Sequence, residues 1–157
     1  MINQEATRHN SLSNVYESAR RGELEIWTSA FTYAEVFRKK CEAGLTISLD
    51  ADGEDKMKDV MEQDFIKVVP VDMIIGKNAR KIMRESPKLK EPQDAVHLAT
   101  ALWWDIDLVH TFDDSDLLPL NGKLKCRNGK FLQICVPADE MAGPLFDQEN
   151  KNEATKK

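Results

Sequence analysis

Three stretches of the sequence carry carboxylates that are candidates for chemistry: Glu35 in "AFTYAEVF", Asp94 in "EPQDAVHLATAL", and Asp113, Asp114 and Asp116 in "HTFDDSDLL". Glu35 stands among Phe31, Ala34, Val36 and Phe37. A carboxylate in such a setting must either reach water at the border of the apolar stripe or be compensated by a positive charge. Asp94 is the third residue of a helix start opened by Pro92, where the helix dipole favours an acid by about 0.3 to 1 kcal/mol. The aspartate cluster follows "IDLVH", an apolar run that reads as a buried strand, so it lies at a strand's C-terminal end. Asp and Ser are common turn and capping residues at such a corner, and the same oxygens are the ligands that hard divalent cations take. Each acid alone has a structural explanation. The chemistry they share is that of an all-oxygen set for Mg²⁺ or Mn²⁺, since no cluster of Cys or His competes for a softer metal.

Whether these acids can meet depends on the elements that carry them. Leu12, Val15, Tyr16 and Ala19 form a helical stripe within 4–21, stopped by Gly22. "ELEIWTS" (23–29) alternates toward a strand, and Thr28 or Ser29 is placed to cap the helix "AFTYAEVFRKKCEA", which Gly44 ends. After a loose stretch at 45–53, a helix resumes near Glu54 and runs to about Asp64; "FIKVV" (65–69) is a strand closed by Pro70. "VDMIIGKNARKIMRE" (71–85) predicts a helix and "SPKLKEP" a loop. A helix over 92–104 follows, with the stripe Ala95, Leu98, Ala99, Leu102, then the strands "IDLVH" and "KFLQICV" (130–136), the last closed by Pro137. Strands alternating with helices imply an α/β fold, here a three-layer α/β/α sandwich with a mainly parallel central sheet. In such a sheet the C-terminal ends of the strands share one edge, which is where ligands bind.

The bulk properties suit this picture. At 157 residues the chain is the size of one domain, expected over 1–143, and the polar, aperiodic 144–157 is expected to be a disordered tail. A composition 41% hydrophobic and 31% charged is that of a soluble globular protein. No apolar run approaches the roughly 18 to 20 residues of a membrane helix, and the start lacks a signal-peptide pattern, so a cytoplasmic location is the default. Cys41, Cys126 and Cys135 are odd in number and widely spaced, and are most simply small buried apolar residues. A net charge of -5 argues against affinity won by neutralising many phosphates. A site that meets nucleic acid through bound metal needs clustered carboxylates of its own and is compatible with that charge.

The ordered succession "TSAFTYAEVF", "EPQDAVHLATAL", "DLVHTFDDSDL" resembles the PIN-domain family of nucleases, including VapC-type toxins, over about residues 10–139. The most specific piece is "DAVHLATAL" coupled at short interval to the aspartate turn. The resemblance implies that Glu35, Asp94 and Asp113 are catalytic acids around divalent metal, Mg²⁺ or Mn²⁺, with Asp116 a fourth ligand or a hydrogen-bonding support. Thr111 is then a hydroxyl behind the ligands, orienting Asp113 or a bound water. It further implies an RNA substrate, phosphodiester hydrolysis without a side-chain nucleophile, and a cognate antitoxin as partner. Family members open with a short apolar strand ending in Asp. This sequence starts directly in a helix, and Glu5 and Glu17 are poor substitutes for that acid. The expectation is therefore a start assigned too late, a truncated gene, or a strand supplied by another chain. An absent first Asp would impair activity and leave a non-catalytic binding module as the alternative.

Other features read as ordinary. "DADGED" (50–55) has a calcium-loop flavour, but its Gly is fourth from Asp50 rather than sixth and Met61 occupies the place of the bidentate Glu, which leaves a polar turn. His97, one turn after Asp94, reads as a packed histidine able to hydrogen-bond locally. Arg38, Lys39, Lys88 and Lys90 are either substrate contacts or solvated charge. Of Trp103 and Trp104, one is expected in the core and the other partly exposed, where it could serve a partner or a homodimer.

Overall fold

Glycine and proline punctuate the chain where helix gives way to strand. The computed structural model describes residues 2–36 and 57–137. In order these are α1 (Ile2–Arg20), β1 (Ile26–Ser29), α2 (Thr32–Val36), α3 (helical over 57–61), β2 (Ile66–Val69), α4 (Met73–Glu85), α5 (Pro92–Trp103), β3 (Leu108–His110), a 3₁₀ turn (Leu118–Leu120) and β4 (Gln133–Cys135). Gly22, at φ 77°, turns the chain out of α1 in a conformation that a side chain would strain. Arg38, Lys39, Cys41, Gly44, the stretch 45–55 and residues 144–157, with what was expected of them, lie outside the described residues.

The strands run parallel, as the alternation with helices predicts. β1 pairs with β2, Ile26 opposite Ile66 through Ser29 opposite Val69. β3 pairs with β4, Leu108 opposite Gln133 through His110 opposite Cys135. Among the described residues these are two separate parallel pairs and not one continuous ladder.

α4 and α5 supply most of the core. Ile75, Ala79 and Ile82 on one face of α4 are buried with Leu89 and with Ala95, Leu98, Ala99 and Ala101 of α5. Leu132 and Ile134 close the cluster from the β4 side. Of the predicted stripe of α5, Ala95, Leu98 and Ala99 are buried and Leu102 packs against them partly buried. The start of α5 follows the expectation too, with Pro92 in the first turn, while α4 starts on an N-cap that periodicity did not point to: Asp72 Oδ1 accepts the backbone N–H of Ile74 and Ile75 at 2.8 and 3.0 Å. α5 ends at Trp104, and Asp105 beyond it holds φ 55° while accepting the N–H of Asn128 at 2.6 Å, which ties the loop before β4 to the helix end. Trp103 packs on the core and Trp104 is exposed, as expected of the pair.

α1 departs from its predicted stripe. Leu12 is 52% exposed, whereas Ser11, Ser18 and Ala19 are buried and Val15 and Tyr16 only half so. The inward face is rotated toward small hydroxyl residues, with Tyr16 set edge-on against Phe65 at 5.2 Å between ring centres. Small side chains let the helix lie close where a leucine would hold it away.

Candidate functional site

β1 ends at Ser29, and three residues later α2 begins. This short connection brings Glu35 round in the first turn of α2, facing α5. Ser29 does not cap α2: its hydroxyl lies 3.2 Å from His97 Nδ1, and Thr28 Oγ1 instead bonds Thr32 Oγ1 at 2.6 Å. On the other side of the same ring, His97 Nε2 lies 2.6 Å from Glu35 Oε2. A carboxylate can only accept, so with Glu35 ionised Nε2 carries the proton, and the Ser29 hydroxyl rotates to serve Nδ1 in either charge state. His97 is therefore neither a purely packed residue nor one bonded within its own helix. It joins α5 to β1 and to α2 through partners 68 and 62 positions away in sequence.

Asp94 is one turn before His97 on the same face of α5 and is half-buried. Its carboxyl is pushed above the ordinary aspartate range, first by burial, then by the negative charges of Asp113 and of Glu35, with His97 acting in the opposite direction. Glu35 on α2 and Asp113 in the turn after β3 thus both bear electrostatically on Asp94 of α5.

Asp113 arrives by a different route. Thr111 continues the ladder past β3, its N–H donating to Cys135 O at 2.9 Å, and its Oγ1 accepts the N–H of Asp113 at 3.0 Å. Asp113 Oδ1 then accepts from the N–H of Ser115 (2.9 Å), the Ser115 hydroxyl (2.8 Å) and the N–H of Asp116 (2.9 Å). These bonds, led by the Asp116 N–H and the Ser115 hydroxyl, hold the carboxyl below its ordinary range. Thr111 accordingly touches the Asp113 backbone and not its carboxylate. Asp116 is placed in the turn by its own N–H, and no bond to its carboxylate joins it to Glu35 or Asp94.

The donor chemistry fits a hard divalent cation: all oxygens, all acidic, with Asp94 raised by burial and then by its neighbours' charge. The spacing is wider than the chemistry asks. Among the described residues no three His, Cys, Asp or Glu side chains lie close enough together to share one ion. His97 is the residue whose part the sequence understates. Its one visible signal was the i, i+3 placement after Asp94, since the partners on β1 and α2 are set by tertiary folding.

No helix among the described residues is long and apolar enough to cross a membrane. No curated protein and no solved structure matches the chain. A family model described as PIN domain matches residues 5–117, from α1 through the turn that holds Asp113 and Asp116.

Proposed function

Because the chain belongs to the PIN-domain family, a nuclease-type fold, we propose that it is a divalent-metal-dependent endoribonuclease of VapC toxin type that uses Glu35, Asp94 and Asp113. The observation that carries this proposal is that, within the family match, the contact of Glu35 with His97 brings α2 to the face of α5 that bears half-buried Asp94. Two further carboxylates, from segments far apart in sequence, bear on it, and mutual repulsion of that kind is what a bound cation relieves. PIN domains generally use divalent ions, and the oxygen set suits Mg²⁺ or Mn²⁺. Bound there, such an ion would supply activated water near neutral pH and offset charge developing on phosphate oxygens.

What the chain itself contributes is divided among its residues. Asp94 presents a half-buried charge, where electrostatic interactions are least screened. Asp113 is aimed by three donors on Oδ1, which leaves Oδ2 for a ligand. Glu35 is steadied through His97. Thr111 fixes the backbone of Asp113 from behind, and Asp116 supports it through its N–H or adds its carboxylate as a further ligand. A cytoplasmic location, a cognate antitoxin and a homodimer belong to the same proposal, with exposed Trp104, whose ring lies 6.0 Å from that of Trp27, as the apolar surface for a protein partner.

The wide spacing of the acids favours a second reading, a non-catalytic PIN module that binds nucleic acid or protein. Cleavage of labelled RNA in Mn²⁺, with and without EDTA, separates the two. The wild-type chain should cut only with metal, and Asp94→Asn should lose activity by roughly 100-fold or more. Equal activity of the variant would sink the mechanism, and RNA binding without any cleavage would move the protein to the second reading.

A further inference from the structure

Charge is unevenly distributed along this chain. Residues 73–90 hold Lys77, Arg80, Lys81, Arg84, Lys88 and Lys90 against Glu85 alone, a net of +5 in a chain of net -5, so that the rest nets -10. At 3.6 residues per turn, Lys77, Arg80, Lys81 and Arg84 share one face of α4, opposite the buried Ile75, Ala79 and Ile82. All six basic residues are exposed. Among the described residues only Lys81 of the six has a carboxylate partner, Glu85 at 3.9 Å. Elsewhere four basic residues pair with nearby acids, Arg20 with Glu17, Arg21 with Glu23, Arg127 with Asp105 and Lys130 with Asp107, and among the described residues none of the others forms a run of this density on one helix face.

Like charges three and four apart disfavour the helix that carries them, so the stripe is not explained by the stability of α4. A protein partner would be expected to find apolar anchors within it. Val71, Met73 and Ile74 are exposed at the N-terminal end of that face, and no large apolar residue between 75 and 103 is, so apolar surface flanks the cations at one end and does not lie among them. What the face offers is cations spaced over about 10 Å of helix axis, two of them guanidiniums suited to phosphate oxygens. Along the chain it continues through Lys88 and Lys90 to Asp94, four residues further.

We propose that the outward face of α4, with the turn after it, is a track for the phosphodiester backbone of single-stranded RNA. This rests on the nuclease reading for the identity of the strand and on the charge distribution for its location. The track contacts phosphate and not bases, so it is indifferent to sequence and sensitive to salt.

The test is fluorescence anisotropy of the full chain with a labelled mixed-sequence single-stranded RNA, in EDTA, across salt from roughly 50 to 200 mM. Replacing Lys77, Arg80, Lys81 and Arg84 together by Gln should weaken binding at least ~10-fold at low salt and cut the log-log salt slope by about 2 to 3, at roughly 0.7 for each phosphate no longer neutralised. The double variant Arg80→Gln with Arg84→Gln should give about half that change of slope and serves if the quadruple variant fails to fold. Lys123→Gln with Lys125→Gln, at surface positions elsewhere, should leave the slope unmoved. An unchanged slope in the α4 variants would overturn the track, as would an equal loss in the Lys123 and Lys125 control. So would an unaltered RNA affinity accompanied by lost binding of a polyglutamate peptide, which would give the surface to an acidic protein. Because binding is read without metal, RNA held by α4 but never cut would refute the nuclease and keep the track.

Discussion

Replacing His97 by Ala removes two hydrogen bonds that cross the junction of α5 with β1 and α2. One is to a carboxylate at 2.6 Å and the other to a hydroxyl at 3.2 Å. Bonds to charged groups contribute about 1.5 to 3 kcal/mol and neutral ones about 0.5 to 1.5. The side chains of His97 and Glu35 are 31% and 32% exposed, so solvent screens the charged bond and the lower end of its range applies. The expected loss is about 2 kcal/mol, of which about 1 kcal/mol should be coupling to Glu35. For a domain of this size that lowers Tm by roughly 4 to 8 °C. Urea denaturation of wild type, His97→Ala, Glu35→Ala and the double variant measures the coupling directly as a double-mutant cycle. Ser29→Ala should destabilise by less than His97→Ala, since it removes only the neutral bond. A coupling below about 0.3 kcal/mol, within the ordinary additivity of independent sites, would refute the reasoning and leave the contact as an incidental surface pair.

The remaining expectations concern the acids and the basic stripe. Asp94 has its folded pKa raised, so the stability it contributes is full below the unfolded value and is lost as pH rises through the raised one. Asp94→Asn should therefore flatten that fall between acid and neutral pH in a thermal-melt series, and should lose any rise in Tm that Mn²⁺ gives the wild type. Asp113 is the opposite case: its lowered pKa contributes stability above the ordinary aspartate value that disappears as pH falls through the folded one. Asp113→Asn keeps an acceptor for the turn and should preserve most of the stability while losing the Mn²⁺ response, whereas Asp113→Ala should also cost about 1 kcal/mol, as loss of a cap does; a full Mn²⁺ response in the Asn variant would refute a ligand role. The four Gln substitutions on α4 remove like-charge neighbours worth about 0.2 to 0.5 kcal/mol each. The variant should be at least as stable as wild type in low-salt urea denaturation, and a drop in stability above ~1 kcal/mol would contradict the claim that the stripe is held against the interest of the helix.

What could be seen in the sequence divides by the range of the interactions involved. The α5 stripe Ala95, Leu98, Ala99 and the strands around Val68, Val109 and Ile134 were legible because burial follows a local period, and the parallel sense followed from the alternation of strand and helix. The face of α1 was not, because periodicity assigns leucine inward, whereas Ser11 and Ser18 are buried and Leu12 is out. At the site, the turn chemistry of Asp113 could be read from "DDSD". The role of His97 could not: a histidine's use is set by what its two nitrogens meet, and here both partners come from more than 60 residues upstream.

The two charged features have the same physical form although their signs differ. Asp94 faces like charge from Asp113 and Glu35, and α4 sets Lys77, Arg80, Lys81 and Arg84 side by side with one acid to answer them. Hydrophobic burial accounts for the core of α4 and α5 without requiring either arrangement, and each works against the stability of the fold. Locally unfavourable choices retained in an otherwise consistent structure are where function is to be sought. The proposed phosphodiester substrate would satisfy both at once. Its backbone would be an anion for the basic face, and the divalent cations that accompany phosphate chemistry would offset the like charge of the acids. Neither half of the charge pattern explains the other, so the salt slope on α4, read without metal, and the Mn²⁺ response at Asp94 test the two halves of the proposal independently.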